Sequence, residues 1–265
     1  MNSLEAIILG IVQGITEFLP VSSSGHLQIA KEMLGITIQD NLAFDVALHV
    51  ATVLSTLVVL RRQVAELFSG LFKFRYNEQT AYILKIMLSM VPIGIVGLLF
   101  KEQLNALLAS PAILAVVGAM LLLTAALLAF AYWARPRPKE QITYRDAFII
   151  GLAQACAAMP GLSRSGSTIA TGILLGDKKE SVAQFSFLMV LLPILGEAFL
   201  QIIGGDLSDD IGIGMVPLIS GFLAAFIVGC LACRFMIEMV KRSKLIWFAL
   251  YCAVVGCASL LYYLF

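Results

Sequence analysis

Six apolar runs of about twenty residues, at 41–60, 79–100, 110–133, 183–203, 212–232 and 245–265, occupy most of this chain. Twenty residues is the length a helix needs to cross about 30 Å of hydrocarbon at about 1.5 Å per residue. Six such runs in 265 residues leave little sequence for a water-facing domain. Composition agrees: 13% of residues are charged and 60% are hydrophobic, against about 25% and 45–50% in soluble domains. The period-two alternation of an outer-membrane barrel is absent, so the expected fold is an all-α polytopic membrane protein. A net charge of +1 carries no nucleic-acid footprint.

Two further apolar stretches, 4–34 and 144–175, are too long for one crossing and are broken in the middle by Pro, Gly and Ser. Their halves, at about 10–16 residues, are short for a span and right for a re-entrant hairpin. Irregular backbone survives at membrane depth only where protein or water covers it, so both breaks are expected to line an interior cavity. The expectation is one integral membrane domain over 1–265, with six transmembrane helices plus two re-entrant helix hairpins. The N-terminal stretch has no basic region before it and runs into Glu17 and a Ser/Gly turn, so no cleavable signal is expected.

Loop charge sets orientation. Arg61, Arg62, Lys73 and Arg75 follow the first span; Arg135, Arg137, Lys139 and Arg145 precede the second broken stretch; Arg234, Lys241, Arg242 and Lys244 precede the last span. The alternate loops are poor in basic residues: 35–40 has none, 101–110 has only Lys101, and 204–211 carries Asp206, Asp209 and Asp210. Basic loops stay in the cytoplasm. Both termini are then outside, the first hairpin enters from the outer face and the second from the cytoplasm. The stretch 63–76, with Phe68, Phe72, Phe74 and Tyr76 among basic residues, fits an interfacial segment or an ordinary loop equally well.

A shift of 141 residues aligns the two broken stretches without a gap. Gly10 meets Gly151, Gln13 meets Gln154, Ser22 meets Ser163, Ser24-Gly25 meets Ser165-Gly166, and Leu34-Gly35 meets Leu175-Gly176. Three spans separate the copies, so repeats in the same sequence order must have opposite orientation, as the loop charges also require. An inverted repeat with discontinuous helices places its site near the midplane, where the breaks meet.

The first break reads Gln13-x-x-x-Glu17, then Pro20-Val-Ser-Ser-Ser-Gly-His26; the second reads Pro160-Gly-Leu-Ser-Arg-Ser-Gly-Ser-Thr168. Gln13 and Glu17 share one helix face. Each Ser/Gly turn opens a new helix, and a helix N-terminus with hydroxyls at its cap is an anion site, most often for phosphate. The copies diverge at three positions: Ser23 against Arg164, Glu17 against Ala158, and His26 against Ser167. Arg164 suits bidentate phosphate binding. Glu17 suits a divalent cation or the role of general base, and His26 that of acid or base. Against this, Glu17 and Arg164 alone would also make a structural ion pair, and membrane serines often only bond backbone. His49 reads as a packing residue. Asp45, Lys85 and Glu197 read as groups that pair with one another or line the cavity. Lys31 and Glu32 read as snorkelling near the outer end of the first hairpin. The five cysteines, Cys156, Cys230, Cys233, Cys252 and Cys257, lack metal-site partners in sequence and read as small buried hydrophobes.

These two motifs closely resemble those of the undecaprenyl-diphosphate phosphatase family, also called bacitracin-resistance proteins. The family's Glu/Gln-x-x-x-Glu is matched by Gln13 and Glu17, and its Pro-Gly-x-Ser-Arg-Ser-x-x-Thr by residues 160–168. The resemblance implies hydrolysis of undecaprenyl diphosphate to the monophosphate and inorganic phosphate, recycling the lipid carrier of peptidoglycan synthesis. It also implies a divalent cation, Mg²⁺ or Ca²⁺, a place in the bacterial inner membrane, and a site opening to the outer, periplasmic face. Carried over, Glu17 would be the metal-linked or basic carboxylate and Arg164 the diphosphate holder. His26 would be the acid/base, and Ser22 or Ser23 the nucleophile of a covalent route; a direct route would use a metal-bound or Glu17-activated water instead, and the sequence does not separate the two. Gln13, Ser24, Gly25, Ser163, Ser165, Gly166 and Thr168 would contact the polyprenyl diphosphate substrate. A homodimer is compatible with the resemblance. The competing class is a transporter or flippase of a polyprenyl phosphate, since the same architecture serves secondary transport.

Overall fold

The computed structural model describes residues 1–36, 42–73, 75–134, 139, 141–196, 214–242 and 244–264, and every named element among them is an α-helix. The helices are α1 (Ser3–Thr16), α2 (Ser23–Leu34), α3 (Leu42–Val59), α4 (Arg61–Leu71), α5 (Glu78–Leu99) and α6 (Lys101–Leu108). They continue with α7 (Ile113–Trp133), α8 (Tyr144–Cys156), α9 (Arg164–Leu174), α10 (Lys179–Met189), α11 (Met215–Lys241) and α12 (Leu245–Leu264). Five helical stretches are long and apolar enough to cross a membrane, counting Lys179–Gly196 as one. A sixth is added if α3 and α4, which meet at 80°, are one broken span. The chain is therefore multi-pass. The stretch left open between interfacial segment and loop is helical over Arg61–Leu71, with Phe68 and Phe72 exposed. Glu197, Arg135, Arg137, Phe74, the acidic stretch 204–211 and the end of the 183–203 run lie outside the described residues.

Large apolar side chains face outward, and a set of polar side chains is buried inside. Leu98, Val216 and Trp247 are at least 64% exposed, whereas Gln13, Thr52, Ser55, Thr56, Ser89, Thr124 and Gln154 are buried. Lipid tails are as apolar as leucine, so helices there associate through close packing and short hydroxyl bonds. Ser55 donates to the Phe226 carbonyl of α11 at 2.8 Å, and Ser259 donates to the Leu114 carbonyl of α7 at 2.9 Å. The larger apolar core joins α7, α9, α10, α11 and α12 through Val117, Leu121, Ile169, Phe185, Met236 and Cys252.

The helices of the two broken stretches begin at corresponding positions at the 141-residue offset. α1 starts in a capping box between Asn2 and Glu5, and α8 in one between Thr143 and Asp146. Each break ends in a serine N-cap, Ser22 or Ser163, that opens the second helix. Each second helix is followed by a left-handed glycine, Gly35 at φ +66 and Gly176 at φ +91. Their first helices cross their neighbours at glycine: a Cβ on Gly10 would lie 2.3 Å from the Gly221 carbonyl oxygen of α11, and one on Gly151 would lie 2.4 Å from the Ser89 carbonyl oxygen of α5.

Several charged residues sit differently from expectation. Lys31 does not snorkel. It is 1% exposed and pairs at 2.6 Å with Asp45 of α3, because a buried ammonium is stable only beside a counter-charge. That pairing also takes Asp45 away from Lys85, whose Nζ instead lies 5.5 Å over the Tyr144 ring. Cys233 and Cys252 are buried, but Cys156 and Cys257 are exposed on helices whose outer surface is itself apolar.

At the foot of the second hairpin, Lys139 bonds both Asp146 carboxylate oxygens at 3.1 Å. Asp177, which follows α9, is buried with both carboxylate oxygens unpartnered. Burial and then the neighbouring Asp146 charge push its carboxyl up from 3.8 to about 6, with Lys139 opposing.

Gly10→Val and Gly151→Val should each cost about 1–3 kcal/mol by overpacking, seen as a lower Tm in detergent. Gly94→Ala, with nothing within 4 Å of its added Cβ, should leave Tm unchanged or raised. For Asp177, the raised folded pKa means its stabilising contribution is complete below about 3.8 and is lost as pH rises through about 6. Asp177→Asn should therefore raise Tm at pH 7.5 and not at pH 3.5; an equal effect at both would refute the assignment.

Candidate active site

The two breaks meet on one polar cavity inside the bundle. Its polar lining is Thr16, Glu17, Ser22 and Ser23 from the first hairpin, Thr52 and Thr56 from α3, Gln154, Ser163, Arg164, Ser165 and Thr168 from the second hairpin, and Ser186 from α10. Phe18, Val53, Phe187, Val190 and Ile194 form the apolar wall. Phe18 and Phe187 pack edge to face with centroids 5.6 Å apart.

Glu17 is the centre of the arrangement. Its side chain is only 7% exposed, so its charge must be met by protein groups. Oε2 accepts from the Ser23 hydroxyl at 2.7 Å and from the Gln13 amide at 2.9 Å. Oε1 faces the Arg164 Nη2 at 3.5 Å. That is a single long contact, not the two parallel bonds of a guanidinium–carboxylate fork. Arg164 is 29% exposed, so it is not sealed into a purely structural pair.

The serines divide into two kinds. Ser22 Oγ accepts from the Gly25 N–H at 3.3 Å, and Ser163 Oγ accepts from the Gly166 N–H at 3.0 Å. These are N-cap bonds, so the amides of Gly25 and Gly166 are already used. A Cβ on Gly25 would lie 3.3 Å from the Gly161 Cα, so its role is to let the two breaks approach. Ser165 bridges the hairpins by donating to the Leu19 carbonyl at 3.1 Å. Thr168 donates to the Arg164 carbonyl at 2.9 Å and also touches Ser186. Ser24 is exposed, with its Oγ 3.3 Å from the Ser22 Oγ. Ser23 alone among these hydroxyls is hydrogen-bonded to the carboxylate.

The two histidines are placed opposite to expectation. His26 does not line the cavity: Nδ1 lies 2.9 Å from the Ser22 carbonyl oxygen and Nε2 lies 2.8 Å from the Tyr251 hydroxyl. His49, expected only to pack, has Nε2 3.8 Å from Glu17 Oε2 while Nδ1 donates to the Asp45 carbonyl at 2.8 Å. His49, Thr52 and Thr56, spaced by three and four residues, form one polar stripe on an apolar helix. That stripe was the signal in the sequence for a third wall of the site. Nothing comparable marks Ser186 or Tyr251.

Known proteins resemble this chain over nearly its whole length. Residues 6–258 match the family described as bacitracin resistance protein BacA. The undecaprenyl-diphosphatase of Bacteroides thetaiotaomicron is 58% identical over 264 residues, covering 98% of this chain and 99% of that protein. The undecaprenyl-diphosphatase of Christiangramia forsetii is 52% identical, covering 99% and 98%. The one from Oceanobacillus iheyensis is 33% identical, covering 96% and 94%. Matched along nearly its whole length and carrying both motifs on one cavity, the chain belongs to the bacitracin resistance protein BacA family.

Proposed function

We propose that this chain hydrolyses undecaprenyl diphosphate to undecaprenyl phosphate and inorganic phosphate, recycling the lipid carrier of peptidoglycan synthesis and so giving bacitracin resistance. The observation that carries the reading is the Ser23–Glu17–Arg164 constellation in one polar cavity. A binding site for a lipid phosphate needs the cation and the helix N-termini, but not a hydroxyl hydrogen-bonded to a buried carboxylate. That last element favours the enzyme over a polyprenyl phosphate transporter or flippase.

In this reading Arg164 and the N-termini of α2 and α9 hold the diphosphate, supplying charge and dipole where negative charge gathers. Ser23 Oγ attacks the terminal phosphorus. The bond from that phosphorus to the bridging oxygen breaks, undecaprenyl phosphate leaves, and the hydroxyl proton passes to Glu17. Water then hydrolyses the phosphoserine, its hydroxyl going to phosphorus and its proton to Ser23 Oγ, and Glu17 returns its proton to solvent. Ser23 suits this role better than Ser22, whose Oγ is committed to its cap. His26, with both ring nitrogens engaged away from the cavity, takes no part in the proton transfer.

A divalent cation fits the residues present. The Glu17 carboxylate and Gln154, whose amide oxygen is buried without a partner, line the same cavity, and they are the hard oxygen donors that would hold Mg²⁺ or Ca²⁺. Such an ion would neutralise charge on the diphosphate. For the architecture we adopt six spans and two re-entrant hairpins forming an inverted repeat within one domain. The site opens to the periplasmic face of the bacterial inner membrane. The alternating basic loops and the matched caps at the 141-residue offset support that arrangement.

The test is phosphate release from C55 or farnesyl diphosphate by the detergent-solubilised chain with a divalent cation. Glu17→Ala and Arg164→Ala should each lose at least about 100-fold in kcat/KM while remaining folded; near-normal turnover in either sinks the assignment. A wild-type chain that releases no phosphate yet redistributes lipid phosphate across vesicles would favour the transporter. Ser23→Ala should abolish capture of ³²P from labelled substrate on acid quenching, whereas Ser22→Ala should still label. Labelling of Ser23→Ala would exclude Ser23 as nucleophile.

A further inference from the structure

Ser22 is the one non-glycine residue with positive φ among the described residues, at φ +71 and ψ 97. An L-residue adopts such backbone only when its surroundings hold it there. The second break has no such residue. Its reversal falls on Gly161 at φ +91, and Ser163 has an ordinary φ of −66. At the 141-residue offset Gly161 corresponds to Pro20. A proline ring fixes φ near −65°, so the first break cannot reverse at that point. The reversal moves two residues on, to a serine adjoining Ser23.

The contacts that hold Ser22 come from His26 and from the last helix. The Ser22 carbonyl accepts from the His26 N–H at 3.1 Å and from His26 Nδ1 at 2.9 Å. A carbonyl can only accept, so Nδ1 carries the ring proton and, in the neutral imidazole, Nε2 is an acceptor. The Tyr251 hydroxyl, 2.8 Å from Nε2, then donates to it. The two rings also stack, with centroids 5.5 Å apart and planes 14° from parallel. The next residue, Cys252, donates from Sγ to the Pro20 carbonyl at 3.6 Å. One turn of α12 thus grips the break on both sides of Ser22. In the second copy the position of His26 is Ser167, whose hydroxyl is buried without a partner, and there is no strained serine to hold.

We propose that Tyr251 is a positioning residue: through the Nδ1–H tautomer of His26 it holds the Ser22 reversal that delivers the Ser23 hydroxyl to Glu17. This rests on the phosphatase reading for its effect on turnover, and on geometry alone for the tautomer.

The chain has two histidines, so ¹⁵N-histidine labelling of the full-length solubilised protein gives two imidazoles, assigned with His49→Gln. The wild type should show His26 with a protonated Nδ1 and a hydrogen-bonded, unprotonated Nε2. Tyr251→Phe keeps the ring stack and removes the hydroxyl. In it the Nε2 resonance should move to that of an unbonded imidazole nitrogen, and kcat should fall about tenfold with KM within about twofold. A wild-type His26 protonated on Nε2 overturns the proposal, with no variant needed. So does a Tyr251→Phe protein that loses Tm but keeps kcat, since that is a merely structural role. If the wild type releases no phosphate, the phosphatase reading fails by itself, and the tautomer and the Nε2 shift still decide whether Tyr251 braces His26.

Discussion

A carboxylate buried in the middle of an apolar bundle governs this molecule. Glu17 cannot hand its charge to water, so Arg164, Ser23 and Gln13 must gather around it. Arg164 comes from the other half of the chain, so the two hairpins must meet for either charge to be stable at that depth. The rest of the architecture serves that meeting. Glycines at the crossings let α1 and α8 approach α11 and α5 closely, and hydroxyl bonds between helices replace the hydrophobic drive that lipid withholds.

Between the two broken stretches, what is shared and what differs have separate jobs. The shared residues build the breaks: Ser22 and Ser163 cap, Gly25 and Gly166 supply the capped amides, and Gly35 and Gly176 end the second helices. The positions that differ bring the groups around the carboxylate, namely Glu17 and Ser23 in one copy and Arg164 in the other. Duplication would supply two anion-binding turns, and divergence would turn the pair into a site with an acid-bearing side and a cationic side. The strained Ser22 belongs to that divergence, since Pro20 stands where the other copy has Gly161.

Much of this was legible from sequence because its causes are local. Run length decides that a segment is helical in lipid. Capping chemistry and Pro/Gly/Ser clusters decide where it breaks. The motif residues around Glu17 and Arg164 stood out because charge is costly where they lie. The histidines were legible as residues but not as roles: His26 sits in the motif and turns to Tyr251, while His49 sits on a plain apolar run and faces Glu17. Lys31 near a helix end reads as snorkelling until Asp45 of α3 is found beside it.

The sequence by itself determined the helical, multi-pass character of the protein, the two breaks, their 141-residue correspondence and the pairing of an acid with a guanidinium. Each follows from hydropathy, backbone stereochemistry or charge within a few residues. Only the tertiary structure decided which hydroxyl reaches Glu17, which imidazole faces it, and which last-helix tyrosine holds the other. Those choices depend on how helices more than two hundred residues apart, such as α2 and α12, are brought side by side, and no local rule carries that information.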